Sequence, residues 1–315
     1  MGDTIRLGIS ACLLGRNVRY DGGHQLDRYL SGTLGRFVEW VPVCPEVECG
    51  LQVPREAMRL VGDPASPRLV TRETGVDHTD RMVRWAGARL RALAQERLCG
   101  FVFKINSPSS GMRAVKVYRD AGVRKDGVGI WAREFMRHFP LLPVEDDGRL
   151  QDPGLRENFI ERVFVLHRWH GYLDAGGALK GLVEFHTRHK LILMAHGPKA
   201  LTELGALVAR GKGMGRKALQ EEYLRGLLEA LKRPATVRQN TNVLYHIAGY
   251  FKKALSADEK KELGEVVTQY HDGLVPLVVP VTLLQHYVRK FREPYLARQH
   301  YLHPHPRELM LRNHV

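Results

Sequence analysis

The stretch Phe37-Val38-Glu39-Trp40-Val41-Pro42-Val43-Cys44-Pro45-Glu46-Val47-Glu48-Cys49-Gly50 decides the fold of the first half of the chain. Its first seven residues have the β-branched and aromatic content of a strand. Pro45 stops the ladder, and Gly50 permits a left-handed turn. Two of the four cysteines and two carboxylates therefore stand at the carboxyl end of a strand, where open α/β sheets bind ligands. The plain alternative is a buried Cys44 used as a small hydrophobe, with Glu46 and Glu48 solvated.

The same pattern recurs on both sides. Ile5–Ser10 alternates like a strand and turns at Ala11-Cys12-Leu13-Leu14-Gly15, which puts Cys12 at a second strand end. Arg19-Tyr20-Asp21-Gly22-Gly23-His24 is a polar loop without the spacing of a phosphate or dinucleotide loop. A short helical crossover over 27–37 makes a right-handed βαβ unit. Asp80 to Leu98 carries Met82, Val83, Ala86, Leu90 and Leu93 on one helical face. Cys99–Lys104 is the next buried strand, with Cys99 in the core, and it ends in the polar loop Ile105–Met112. A short strand at Leu69–Thr71, a helix over 127–138 and an acidic linker at 145–149 complete this half.

From Leu155 the periodicity is helical, with segments near 155–173, 177–196, 199–211, 216–232, 236–254, 257–272 and 279–292. Ser256 and Glu259 are spaced as a capping box. These patterns predict an α/β Rossmann-like domain over 1–148 and an all-α domain over 149–315.

The chain has 315 residues and a net charge of +14. Up to residue 150 there are 23 Lys and Arg against 18 Asp and Glu; after it there are 25 against 16. Both halves are basic, the second more so, and a polyanion partner, nucleic acid first, is the natural inference. No run of eighteen apolar residues occurs, so no membrane span is expected, and the start at Met1-Gly2-Asp3 shows no apolar leader core. The expected compartment is the cytoplasm. Four cysteines there point to metal or cluster ligation or to catalysis rather than to disulfides. Cys12, Cys44 and Cys49 lack the spacing of a zinc ribbon or a compact ferredoxin run, but three protein ligands on a cluster leave one iron open as a Lewis acid.

The segments SACLLGRNVRYDGG from Ser10, PVCPEVECGLQVPR from Pro42 and FKINSPSSGM from Phe103 resemble the thiouracil desulfidase family. FHTRHKLILMAH from Phe185, NVLYHIAGYFK from Asn242, PVTLLQHY from Pro280 and YLHPHPRELMLRN from Tyr301 resemble the helical domain found fused to it. The fused architecture is similar to bacterial desulfidases that convert 4-thiouridine in tRNA to uridine. The resemblance implies a 4Fe–4S cluster on three cysteines, with sulfur lost as sulfide after water attacks the ring carbon. Cys12 and Cys44 match two of the ligand positions. The third cysteine should follow Ser-Pro-Ser, and here that position is Ser110. Either Cys49 takes its place, Ser110 ligates weakly through oxygen, or the site is inactive; oxygen is the harder, poorer ligand for iron.

Glu46 is the expected acid/base carboxylate, with Glu48 the second candidate, and Ser107 is expected to hold the base or the sulfur, or else to cap a turn. Arg19, Tyr20 and Asp21 are candidates to hold ribose, base or phosphate, and Arg55 to contact phosphate or pair with a carboxylate. In the second half Arg188, Lys190, Lys212, Arg216, Lys217, Arg238, Lys252 and Lys253 are expected phosphate contacts. Tyr245, His246 and Tyr250 are expected to stack on unpaired bases or to sit in the core. His186, His189 and His196 lack a further ligand at a zinc-diagnostic interval. The expected function is sulfur removal from 4-thiouridine in tRNA, with no obligatory protein partner. The alternatives are the same chemistry on free thiouracil or thiolated nucleotides, and a non-catalytic RNA-binding protein with a decayed cluster site.

Overall fold

The computed structural model describes residues 4–314; Met1–Asp3, where the absence of a leader was read, and Val315 lie outside the described residues. The chain divides into two compact units, Met1–Asp152 and Pro153–Val315. No helix among the described residues is long and apolar enough to cross a membrane.

The first unit runs β1 (Ile5–Ser10), β2 (Val38–Val43), α1 (Pro45–Glu48), β3 (Met58–Val61), β4 (Arg68–Thr71), α2 (Thr79–Ala94), β5 (Gly100–Phe103), β6 (Val115–Arg119), β7 (Gly122–Gly127), α3 (Ile130–His138) and β8 (Val144–Asp146). Strands β2-β1-β5-β8 form a parallel sheet in that order. The chain goes from β1 to β2 on one side and returns to β5 on the other. The gap between the loops after β1 and β5 is therefore a topological switch point, where such sheets bind ligands. Close pairing of β1 with β5 requires Gly8 opposite Phe101: a Cβ there would lie 2.1 Å from Phe101 Cδ2. Phe101, Phe103, Trp131 and Phe135 pack with Met82, Ala86 and Leu90 into the core.

Two expectations fail here. The acidic linker at 145–149 is in part β8, whose Glu145 and Asp146 are buried. Local capping makes this burial tolerable, since Glu145 accepts from Arg149 Nε at 2.7 Å and Asp146 from Arg149 N at 2.8 Å. The second sheet, β4-β3-β6-β7, was foreseen only at β4. Its last strand, GVRKDG, is exposed at five of six positions and has no apolar alternation to betray it.

The second unit is helical: α4 (Pro153–Asp174), α5 (Leu179–His196), α6 (Pro198–Ala209), α7 (Arg216–Leu231), α8 (Val237–Gly249), α9 (Ala257–His271), α10 (Val278–Lys290) and α11 (Pro294–Ala297). The capping box of Ser256 and Glu259 starts α9, and Thr236 with Gln239 makes a second at α8. A buried ion network closes the unit. Arg312 reaches Glu157 at 3.0 Å and Glu161 at 3.5 Å, and His196 meets Glu161 at 2.7 Å.

The histidines give this unit a sign-defined pH response. Burial pushes His186 down to about 4 and His189 well below its ordinary value, and burial likewise lowers His300 to about 3 and His305 to about 4. Each stays neutral when folded but titrates near 6.5 when unfolded, so its contribution is present above that pH and lost as pH falls towards the folded value. His196 has the opposite sign, because Glu161 raises it, and its contribution is lost at high pH. His303 is lowered by burial as well, and with five lowered histidines against one raised, thermal stability should fall from pH 6.5 to 4, each lowered histidine adding up to about 1.4 kcal/mol per pH unit. Melting curves of His186→Gln should show a shallower fall over that interval than those of the parent chain; an equal slope would mean that His186 does not contribute.

Candidate active site

The parallel register of β1 and β2 ends with Ser10 opposite Val43. Cys12, two residues past one strand, and Cys44, one past the other, thus emerge on the same sheet edge. Both line a cavity of about 320 Å³, together with Glu46, Lys104, Ser107 and Ser110. Both thiols are free and buried. Burial, and then the charge of Glu46, pushes Cys12 up to about 11 and Cys44 to about 12. Lys104 and Arg19 near Cys12, and Arg55 near Cys44, pull the other way without offsetting burial, so a bound metal cation would be needed to stabilise the thiolates.

Cys44 caps α1, and the turn that follows delivers Glu46 to the cavity. Glu46 Oε1 accepts a short hydrogen bond from Ser109 Oγ, and its Oε2 lies 3.5 Å from Cys44 Sγ and 3.9 Å from Arg55. Ser109 Oγ is in turn 3.0 Å from Ser107 Oγ. Ser107 Oγ also accepts from the backbone N–H of Ser109 at 3.3 Å and Ser110 at 3.0 Å. Ser107 is therefore a turn brace that faces the cavity, and its neighbour Ser109 touches the carboxylate. Sequence reasoning missed Ser109; its only signal was membership of the Ser-Pro-Ser-Ser run. This loop packs so tightly on Gly129 that a Cβ there would lie 2.4 Å from Ser109 O.

Glu48 departs from its expected role. Its carboxylate accepts from Cys44 N at 2.9 Å and pairs with Arg89 at 3.1 Å, and it does not line the cavity. It braces the turn that carries Glu46. Burial raises its pKa. Cys49 also departs: its thiol donates to Glu46 O at 3.2 Å and packs against the hydrophobic core, outside the cavity lining. The one-turn helix α1 points position 49 away from position 44. Ser110, by contrast, lines the cavity, and its hydroxyl has no hydrogen bond to another described residue.

Arg19 and Tyr20 line the cavity mouth, with the Arg19 guanidinium 5.6 Å from the Tyr20 ring centre. Asp21 does not; it accepts from Gly23 N at 3.0 Å and pairs with Arg19 at 3.4 Å, bracing the loop. Arg55 lines the cavity while donating to Val18 O at 3.0 Å, so it both pairs with Glu46 and ties two loops. Lys104, which sequence reasoning also passed over, enters from the end of β5 and is held by Asp147 at 2.6 Å.

The eight basic candidates of the helical unit do not form one patch. Lys190 and Lys212 edge a groove between α5 and α6. Arg188 is paired with Glu184 at 2.6 Å, Lys217 with Glu221 at 4.0 Å, and Arg216 donates to Gly176 O at 3.3 Å. Arg238 stands at the start of α8 and Lys252 and Lys253 beyond its end, about 20 Å apart along the helix. Tyr245 and Tyr250 are half exposed and His246 is exposed, so none belongs to the core. Tyr250 stacks on Tyr295 at 5.6 Å. His186 and His189 are buried, and no group of three His, Cys, Asp or Glu among the described residues is placed to hold a metal ion.

A family model described as 2-thiouracil desulfurase matches residues 7–147, which contain the whole cavity. Residues 7–147 of this chain belong to the 2-thiouracil desulfurase family. A second model, described as a protein of unknown function (DUF1722), matches residues 190–306. The uncharacterized protein YbgA of Escherichia coli (strain K12) is 30% identical over 153 residues, 48% of this chain and 90% of that protein. A solved structure titled as the [4Fe-4S]-dependent thiouracil desulfidase TudS is 31% identical, covering 47% of this chain and 94% of its own, with a TM-score of 0.39. Each of these relatives matches about half of this chain.

Proposed function

We propose that the chain removes sulfur from a thiolated uracil ring, and that its substrate is 4-thiouridine in tRNA. The observation that carries the reading is Glu46, held by Ser109 and Arg55 beside two buried thiols in one cavity at the switch point of the sheet.

The donor set fits a 4Fe–4S cluster held by Cys12 and Cys44, with Ser110 in the third position. Two soft thiols stand at adjacent strand ends, and the Ser110 hydroxyl, without a protein partner, faces the same space. The set leaves out Cys49, whose thiol bonds Glu46 O and packs against the core. When bound, the cluster supplies Lewis-acid iron towards the thiocarbonyl sulfur.

The chain's own residues do the rest. The Oε2 of Glu46, beside Cys44 in the cavity, takes a proton from the attacking water, while Ser109 fixes Oε1. Arg55, 3.9 Å from Oε2, keeps that carboxylate aimed. The ring carbon gains the water oxygen and loses its sulfur, which leaves with the two protons as hydrogen sulfide, so no oxidant or reductant is consumed. Arg19 and Tyr20 at the mouth hold the base or its sugar. The basic surface, net +14 over the chain, favours a polyanionic substrate over a free base.

The test is anaerobic reconstitution followed by incubation with tRNA containing 4-thiouridine and, separately, with free thiouracil. Loss of the thionucleoside from tRNA with release of sulfide is expected. Turnover of free thiouracil alone would support the small-substrate reading, and tRNA binding without turnover of either would support the non-catalytic one.

A further inference from the structure

Beside the catalytic cavity, on the outer face of the second sheet, lies a larger groove of about 520 Å³. The two share Met58, Asn106 and Pro108 as lining residues, so they are neighbours. Leu60 on β3 pairs with Val117 on β6, which sets Arg59 beside Lys116. Alternation sends Leu60, Val115 and Val117 into the core and Arg59, Lys116 and Tyr118 outward. Arg72 past β4 and Lys125 on β7 complete a lining with four cations and no carboxylate.

Like charges on neighbouring strands repel and need a reason. Elsewhere on this sheet Arg68 pairs with Asp77 at 3.5 Å and Arg124 pairs with Asp126, while the exposed Arg119 at the end of β6 has no ion pair among the described residues. In the groove, none of Arg59, Arg72, Lys116 and Lys125 has a carboxylate partner among the described residues. Arg59 lies 5.3 Å over the Tyr118 ring, and its buried Nε has no hydrogen-bond partner. The arrangement combines unpaired cations that suit phosphates with an aromatic face that suits a base.

We propose that this groove is the track for the RNA backbone next to the nucleotide being desulfurised, with Arg72, Lys116 and Lys125 contacting the flanking phosphates. The proposal rests on the reading of a polynucleotide substrate and adds to it: the first unit itself, not only the helical one, grips the strand. Free thiouracil has no phosphates and makes no use of the groove.

The test compares the reconstituted parent with the triple variant Arg72→Ala, Lys116→Ala, Lys125→Ala, whose changed side chains are all exposed. Affinity for 4-thiouridine-containing tRNA is measured across salt concentrations, with turnover of that tRNA and of the free nucleoside 4-thiouridine. Loss of three phosphate contacts should make the log–log salt dependence shallower by about two units. The variant's tRNA KM should rise at least about tenfold at low salt, with its melting temperature and its turnover of the free nucleoside unchanged. An unchanged slope and KM for tRNA would overturn the groove while leaving the tRNA reading intact, and so would equal losses on tRNA and nucleoside. If the parent neither binds nor turns over tRNA but consumes the nucleoside, the polynucleotide reading itself falls and takes the groove with it.

Discussion

Cys12→Ala or Cys44→Ala should reduce iron and acid-labile sulfide, measured after anaerobic reconstitution, from about four of each per chain to near zero. Each leaves a single thiol in a cavity where burial already disfavours thiolate, so no ligand set remains to offset the cost of deprotonation. Cys49→Ala should leave iron content unchanged, because the Cys49 thiol is bonded to Glu46 O and packed outside the cavity. Ser110→Cys should improve retention of iron on exposure to a chelator, since a thiolate replaces a hydroxyl at the third position. Iron lost in Cys49→Ala but retained in Cys12→Ala would reverse the ligand assignment. The readout is metal content and the visible absorption of the cluster, so it stands apart from catalysis.

Glu46→Gln should retain the cluster and lower kcat for sulfur release by about 10²–10⁴-fold, the usual contribution of a positioned general base. The amide keeps the shape and hydrogen-bonding capacity at Ser109 but cannot take the proton. Ser109→Ala should have a smaller effect, because Arg55 still constrains the carboxylate. The two are separable by the size of the loss in kcat at equal iron content. Glu48→Gln should act mainly on stability, through Arg89 and the N–H of Cys44. Turnover unchanged in Glu46→Gln, with iron intact, would remove Glu46 from the reaction.

The sequence by itself determined the strand-like runs that make β1, β2 and β5, alternating at the first and continuously apolar at the last, and hence that Cys12, Cys44 and the serine loop stand at strand ends. It determined the helical half as well, since amphipathic spacing and caps such as Ser256 and Glu259 are local signals that survive without tertiary context. Only the tertiary structure decided between side chains one turn apart. Position 49 points to the core and position 44 to the cavity because α1 rotates them apart, and no one-dimensional spacing reports that rotation. Likewise Glu46 and Glu48 read alike in the chain, and only their partners, Ser109 and Arg55 for one, Cys44 N and Arg89 for the other, give them different work. The second sheet escaped because β7 is nearly all exposed and is held by its ladder to β6, a pairing whose register is set by neighbours rather than by its own composition. The cationic groove on that sheet is therefore legible only once Arg59 and Lys116, 57 positions apart in the chain, are seen side by side.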